Sequence, residues 1–152
     1  METIGIDFDG VIRKWPTFIQ AYADFISPND ILERARLKTL KKILSKVFMA
    51  YTPVILDGTM ITSLQHSNWN IVVISGRYRS KEQDEVVRVL QPYLRAHYLF
   101  RGSKKEREEE FKLKWCKILN VSFFIDDRKY IVEYLRRHGV QAYHVKEIRK
   151  CQ

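Results

Sequence analysis

Two aspartates and a glycine stand close to the N-terminus, directly after a short apolar stretch. Asp7 and Asp9 are separated by one residue, and Gly10 follows them. Because side chains two apart in an extended segment point the same way, the two carboxylates can converge on one spot, and glycine lets the backbone turn beside them. A carboxylate is costly to bury unless it is paired or bound to a metal. This spacing therefore predicts a site for a divalent cation and a phosphoryl group.

Polar residues also follow two later apolar stretches. Residues 71–74 lead into Ser75-Gly76-Arg77, and residues 121–125 lead into Asp126-Asp127. Near-continuous apolar runs of this length are typical of strands buried on both faces, as in parallel sheets. We therefore expect both polar groups to lie at the ends of buried strands.

Strands and helices alternate along the rest of the chain. Further strands are predicted at residues 97–100 and 142–145, and helices at residues 80–90, 104–117 and 130–137. Ser80 and Gln83 are typical of a capping box at the start of the first of these helices. The alternation predicts an α/β fold with a doubly wound, Rossmann-like parallel sheet. Ligands of such sheets bind beyond the carboxyl ends of the strands, where the three polar groups would meet.

Length and composition favour a single soluble domain. The chain has 152 residues, 45% of them apolar, which is enough for one hydrophobic core. A formal net charge of +9 favours anionic partners, whether nucleic acid, a phosphorylated metabolite or a membrane surface. Cys116 and Cys151 are not clustered, which fits a reducing compartment. Since no apolar run reaches transmembrane length and a strand begins almost at once, we expect a cytoplasmic protein without a leader peptide or a membrane partner.

The order of these motifs resembles that of the haloacid dehalogenase (HAD) superfamily of phosphohydrolases. The family has Asp-x-Asp-x-Thr or Val after its first strand, a Ser or Thr ending a later strand, a lysine opening a helix, and an acidic pair after the next strand. The matching positions in this chain are Asp7, Asp9, Val11, Ser75, Lys112 or Lys114, Asp126 and Asp127. We prefer Lys112, because Phe111-Lys112 is similar to the apolar-lysine pair of many members, but Lys114 stays open.

The resemblance implies a role for each matched residue. Asp7 would attack phosphorus and form an aspartyl-phosphate, while Asp9 would protonate the leaving group and later deprotonate water. The transferred phosphate would be bound by Ser75, Gly76, Arg77 and Lys112. Mg²⁺ would be held by the Asp7 carboxylate, the Asp9 backbone carbonyl and Asp126, with Asp127 helping directly or through water.

The resemblance covers one domain, residues 1–152, and residues 14–66 fall where the family inserts a small helical cap. Three helices are predicted in this insertion: a short helix that begins at residues 15–19, a basic amphipathic helix at residues 31–48 and a helix from Thr52-Pro53 to His66. We interpret the basic helix as packed on the domain with its charged side in solvent. A lid that faces the substrate, or an element that contacts a membrane surface, is the alternative.

Two rival classes need weighing. Receiver domains of response regulators are also doubly wound and also use Asp, Ser or Thr, Lys and Mg²⁺, but in them no acidic pair follows the lysine. A non-catalytic nucleic-acid-binding module is suggested by the basic clusters at residues 34–46 and 101–117. No known nucleic-acid-binding motif accompanies those clusters, so the phosphatase interpretation is preferred to both.

The substrate is suggested by a shorter resemblance. Residues 124–128, together with Val132, Glu133, Arg136 and Gly139, are similar to the phosphatase domain of polynucleotide kinase-phosphatases, which remove terminal phosphates from nucleic acids. The chain has no Gly-rich phosphate loop, so no kinase activity is predicted. We favour a nucleotide or nucleic-acid terminal phosphate over a small phosphorylated metabolite, which remains the alternative.

Overall fold

A five-stranded parallel sheet organises the protein. We describe a computed structural model, which covers residues 2–13, 35, 36, 39, 43 and 56–150. The strands are β1 (Thr3–Ile6), β2 (Asn70–Ser75), β3 (His97–Phe100), β4 (Phe123–Asp126) and β5 (Ala142–His144). They are ordered β3-β2-β1-β4-β5, and every neighbouring pair is parallel. The predicted α/β fold with a parallel sheet is therefore confirmed.

Helices cover both faces of this sheet. They are α1 (Gly58–Gln65), α2 (Ser80–Leu90), α3 (Glu108–Ile118), α4 (Lys129–Arg137) and α5 (Val145–Arg149). Alternate residues of β2 point to opposite faces: Val73 belongs to a core shared with α1, α2 and α5, whereas Ile74 belongs to a core shared with α3 and α4. Helices on both faces make the sheet doubly wound, as the sequence predicts, and leave its carboxyl edge open to ligands.

Several element boundaries differ from those predicted. The helix expected from Thr52-Pro53 begins only at Gly58, because Leu56 forms a bridge with Arg13 and Asp57 caps the helix by accepting the Met60 N–H at 3.3 Å. Helix α3 begins at Glu108 instead of residue 104, and the short helix α5 was not predicted.

The predicted capping box at the start of α2 is wrong. Arg79 is the N-cap residue of this helix and makes no side-chain cap. The Gln83 side chain instead donates to the carbonyls of Arg77 and Arg101, at 3.2 and 3.4 Å. Gln83 therefore ties the β2–α2 loop to the end of β3.

Residues 12–13, just before the predicted insertion, lie beside residues 56–57, which fall inside it. The Asp57 N–H donates to the Ile12 carbonyl at 2.7 Å, next to the bridge between Arg13 and Leu56. Helix α1, which falls within the predicted range 14–66, packs in the main core through Met60 and its neighbours. The short helix predicted to begin at residues 15–19 and most of the predicted basic helix at 31–48 lie outside the described residues, so the cap stays a prediction. Within the described ranges, no helix is long and apolar enough to cross a membrane.

Candidate active site

The three central strands bring the sequence-predicted residues to one edge of the sheet. Asp7 directly follows β1, Ser75 ends β2 and Asp126 ends β4. Ile6 is in register with Val73 on one side and with Ile125 on the other. The carboxyl ends of these neighbouring strands therefore meet around Asp7.

Asp7 lies at the centre of this edge and is 2% exposed. Its N–H donates to the Ile125 carbonyl at 2.9 Å, which continues the β1–β4 pairing. Its Oδ1 lies 3.1 Å from Lys112 Nζ, whereas the buried Oδ2 accepts no hydrogen bond from the described residues. Burial raises the pKa of this carboxyl well above its ordinary value, and the charge of Lys112 acts in the opposite direction.

Lys112 is the lysine that reaches the site. It is fully buried, and its Nζ lies 2.7 Å from Asp126 and 3.1 Å from both Asp7 and Glu108. Burial alone would lower the pKa of Lys112, but the carboxylates of Asp126 and Asp7 hold that pKa above its ordinary value. Lys114 lies on the exposed side of α3, where its Nζ is 5.8 Å from the ring centroid of Trp115. Of the two lysines that the sequence left open, only Lys112 faces the strand ends.

Asp126 and Asp127 complete an acidic cluster with Asp7. Ligand oxygens of these three buried residues lie within 4.8 Å of one another. Asp126 Oδ1 accepts the Arg128 N–H at 2.9 Å, which fixes the turn after β4. Gly10 has a φ of +80°, and a Cβ at this position would lie 2.1 Å from Asp127 Oδ2. Only glycine therefore fits here without displacing the Asp127 carboxylate.

His144 anchors the same turn from β5. Its Nδ1 accepts the Lys146 N–H at 3.2 Å, so Nε2 carries the proton and donates to the Asp127 carbonyl at 2.9 Å. The side chain is buried, and both of its ring nitrogens are engaged. His144 therefore holds the backbone of the acidic pair in position.

Asp9 has a different environment from Asp7. Arg77 donates to both of its oxygens, through Nε and Nη2, each at 3.0 Å, and Arg13 lies 3.6 Å away. Arg77 Nη1 also donates to Glu85 at 3.0 Å. The structure thus places the Asp9 carboxylate in an arginine fork and outside the three-carboxylate cluster. Phosphate binding by Arg77 stays a prediction.

Ser75 and Gly76 line the edge beside Asp7. Ser75 is buried, and its Oγ accepts the Arg77 N–H at 3.4 Å. A Cβ at Gly76 would lie 2.1 Å from the carboxyl carbon of Glu108. The β2–α2 loop and the first turn of α3 are therefore in close contact.

Glu108 and Arg128 belong to the site but were not predicted. The Glu108 carboxylate accepts hydrogen bonds from both terminal nitrogens of Arg128, one of them at 2.8 Å. It also lies 3.1 Å from Lys112 Nζ. Burial opposes ionisation of Glu108, but Arg128 and Lys112 hold its pKa well below the ordinary value. The signals were available, because Glu108 precedes Lys112 by four residues and so shares its helix face, and Arg128 directly follows the acidic pair.

The charges at this edge fit a divalent cation. Four buried or nearly buried carboxylates (Asp7, Glu108, Asp126 and Asp127) face two cationic side chains (Lys112 and Arg128). When all four carboxyls are ionised, two negative charges are in excess, and burying them without compensation is costly. Asp7 also has an oxygen, Oδ2, that accepts no hydrogen bond from the described residues. An all-carboxylate oxygen set is typical of sites for Mg²⁺ or Ca²⁺.

Comparison with known proteins identifies the fold. No protein-family model and no curated protein sequence matches the chain. A chain of the Pnkp1/Rnl/Hen1 RNA repair complex superposes with a TM-score of 0.57 at 16% identity, over 94% of this chain and 42% of that one. This chain thus spans less than half the length of that protein.

Two hydrolases superpose over most of their own length. One is a HAD-superfamily hydrolase of subfamily IA, variant 1, from Geobacter sulfurreducens PCA, with a TM-score of 0.54 at 16% identity, over 99% of this chain and 96% of that one. The other is a haloacid dehalogenase-like hydrolase from Streptococcus pneumoniae, with a TM-score of 0.56 at 14% identity, over 93% and 83%. The protein has the Rossmann-like fold of the HAD hydrolases, in agreement with its motif order.

Proposed function

We propose that this chain is a Mg²⁺-dependent phosphatase that acts through an aspartyl-phosphate on Asp7. The observation that carries the proposal is the position of Asp7. Asp7 directly follows the central strand, and its Oδ1 lies 3.1 Å from Lys112 Nζ. Its Oδ2 accepts no hydrogen bond from the described residues and lies 3.6 Å from Arg128. The Asp7 carboxylate also clusters with those of Asp126 and Asp127. A buried carboxylate held in this way is positioned as a nucleophile next to a cation site.

In the first step an oxygen of Asp7 forms a bond to phosphorus, and the bond from phosphorus to the leaving oxygen breaks. Asp9 gives its proton to that leaving oxygen. In the second step water attacks the phosphorus of the aspartyl-phosphate and passes a proton to Asp9, and inorganic phosphate and the Asp7 carboxylate are released. Arg77 orients the Asp9 carboxylate, the form that accepts the proton in the second step, through two hydrogen bonds of 3.0 Å.

The remaining residues stabilise negative charge. Lys112 neutralises charge on the phosphoryl oxygens and holds Asp7 in place, and Ser75 donates a hydrogen bond to the transferred group. Mg²⁺ would be held by Asp7, Asp126 and Asp127, with the Asp9 carbonyl as a further ligand, and would offset the repulsion between the nucleophile and the phosphate. The clustering of three buried carboxyls, which a divalent cation would compensate, supports this assignment.

We propose a nucleotide or nucleic-acid terminal phosphate as the substrate. The net charge of +9 supports a polyanionic ligand. The similarity of fold to a chain of an RNA repair complex supports the same substrate class. A small phosphorylated metabolite is the alternative that a substrate screen would distinguish.

Asp7→Asn tests the mechanism, with Asp84→Asn as the matched control. Asp84 lies on the exposed side of α2, so the same chemical change there leaves the site untouched. With an aryl phosphate and Mg²⁺, we expect turnover to fall by at least about 10³-fold in Asp7→Asn, since an amide is a poor nucleophile and ligand. EDTA should abolish turnover of the wild type. Retained turnover in Asp7→Asn, or indifference to EDTA, would refute the proposal.

A further inference from the structure

Arg101, directly after β3, is a buried cation that has no acidic partner in the described part of the chain. It is 8% exposed and makes no ion pair with any described residue. Its Nη1 donates to the Glu106 carbonyl at 2.9 Å, while its Nε is buried and finds no acceptor among the described residues. The other buried cations of the described chain, Arg13 and Lys112, both contact aspartates. Burying a charge without a counter-charge is costly, which points to an anionic ligand near Arg101.

A second guanidinium shares an aromatic ring with Arg101. The guanidinium carbons of Arg79 and Arg101 lie 5.6 and 5.5 Å from the ring centroid of Tyr78. The Arg79 side chain is 54% exposed, and the nearest acid recorded for it, Glu82, is 3.8 Å away. Cation–π contacts with one ring can hold two like charges close together. These three residues form what we call the Arg-Tyr-Arg cluster.

The Arg-Tyr-Arg cluster lies at the same sheet edge as Asp7. Tyr78 and Arg79 directly follow Arg77, which holds Asp9, and the Arg101 N–H donates to the Ser75 carbonyl at 3.3 Å. Lys104 and Lys105 continue the same loop, are exposed and have no acidic partner among the described residues. The loop that follows β3 therefore adds exposed positive charge next to Arg101 in the chain.

We propose that the Arg-Tyr-Arg cluster binds a phosphodiester adjacent to the terminal phosphate of a nucleic-acid strand. The inference rests on the proposed function, because it assigns the second anion of the same substrate. A metabolite with one phosphate would engage only the groups around Asp7 and would leave Arg101 uncompensated. The guanidinium is planar, weakly hydrated and suited to bidentate contacts with phosphate, unlike the ammonium group of lysine.

Charge reversal at Arg79 tests the proposal, with Arg95→Glu as its matched control. Arg79 and Arg95 are both exposed, but Arg95 precedes β3 and so lies at the opposite edge of the sheet. The substrates are a single-stranded octanucleotide with one terminal phosphate, placed at the 3′ or the 5′ end, and an aryl phosphate. We expect Arg79→Glu to lower kcat/KM for the octanucleotide at least ~10-fold more than Arg95→Glu does, and the two variants to act alike on the aryl phosphate.

Arg101→Gln and the salt dependence provide independent readouts. If Arg101→Gln keeps the wild-type melting temperature, its affinity for the octanucleotide should fall, and the slope of log K against log salt should shrink by about 0.7 for the lost contact. If Arg101→Gln does not fold, the proposal is tested by the comparison of Arg79→Glu with Arg95→Glu alone. Equal effects of those two variants on the octanucleotide would overturn the inference.

Failure of the inference and failure of the proposed function can be separated. Hydrolysis of the aryl phosphate with equal effects of Arg79→Glu and Arg95→Glu leaves the phosphatase and removes the subsite. If the wild type hydrolyses nothing, the proposed function fails, and fluorescence anisotropy with the labelled octanucleotide tests the subsite by itself. A weaker affinity in Arg79→Glu alone supports the subsite, and absence of binding by the wild type overturns it.

Discussion

Replacing Lys112 by methionine removes the charge at the centre of the site while keeping a side chain of similar length. The Nζ lies within 3.1 Å of three carboxylates and is fully buried. Removing one partner of a buried ion pair typically costs about 3–5 kcal/mol, because the other charge is left uncompensated. We therefore expect Lys112→Met to lose about 3 kcal/mol or more of unfolding free energy, together with its turnover. Lys114→Met, on the exposed side of the same helix, should change stability by less than about 1 kcal/mol.

The assay is urea unfolding without metal at pH 7 and at pH 4.5, followed by tryptophan fluorescence. Burial already raises the pKa of the Asp7 carboxyl, and without the charge of Lys112, which acts in the opposite direction, that pKa rises further. A raised carboxyl pKa means that the folded state binds protons more tightly than the unfolded state, so stability is lost as the pH rises. The deficit of Lys112→Met relative to wild type should therefore be smaller at pH 4.5 than at pH 7. Equal deficits in Lys112→Met and Lys114→Met, or a deficit that grows on acidification, would refute this reasoning.

Two further predictions concern the packing around the site. Gly76→Ala should lower turnover on an aryl phosphate and cost about 1–3 kcal/mol, because the new Cβ would lie 2.1 Å from the Glu108 carboxyl carbon. Gly102→Ala, where a Cβ meets no atom within 4 Å, is the control and should be nearly neutral in thermal unfolding and activity. Burial raises the pKa of the Cys116 thiol to about 12, so at pH 8 iodoacetamide should label it in urea but barely in the native protein. Rapid native labelling of the Cys116 peptide, measured by mass spectrometry, would contradict the buried position.

The centre of the sheet was predictable because β1, β2 and β4 are buried at nearly every position. The runs before Ser75 and Asp126 are apolar at nearly every position, which is typical of strands buried in a parallel sheet. Since parallel strands align their carboxyl ends, the meeting of Asp7 with Asp126 follows from the topology. This part of the site required no knowledge of side-chain packing.

Long-range contacts explain what the sequence did not predict. Gln83 has the spacing of a capping box with Ser80, but it bonds instead to carbonyls of two different loops. Local propensity could not foresee that the second loop would lie there. Glu108 likewise stands in a run of charges that predicts a solvated helix face, and its burial depends on Arg128 from the next β–α turn.

The two aspartates of the first motif, Asp7 and Asp9, differ in burial and in their partners although they are the same residue type. Strand β1 ends at Ile6, so the chain turns between Asp7 and Asp9, and the two side chains do not share one environment. Asp7 is buried among the cluster around Lys112, whereas the Asp9 side chain is 27% exposed and held by Arg77. A nucleophile needs a fixed position beside cations, and a residue that exchanges protons needs access to water and to the leaving group. The different surroundings of two identical side chains thus support different roles for them in one reaction.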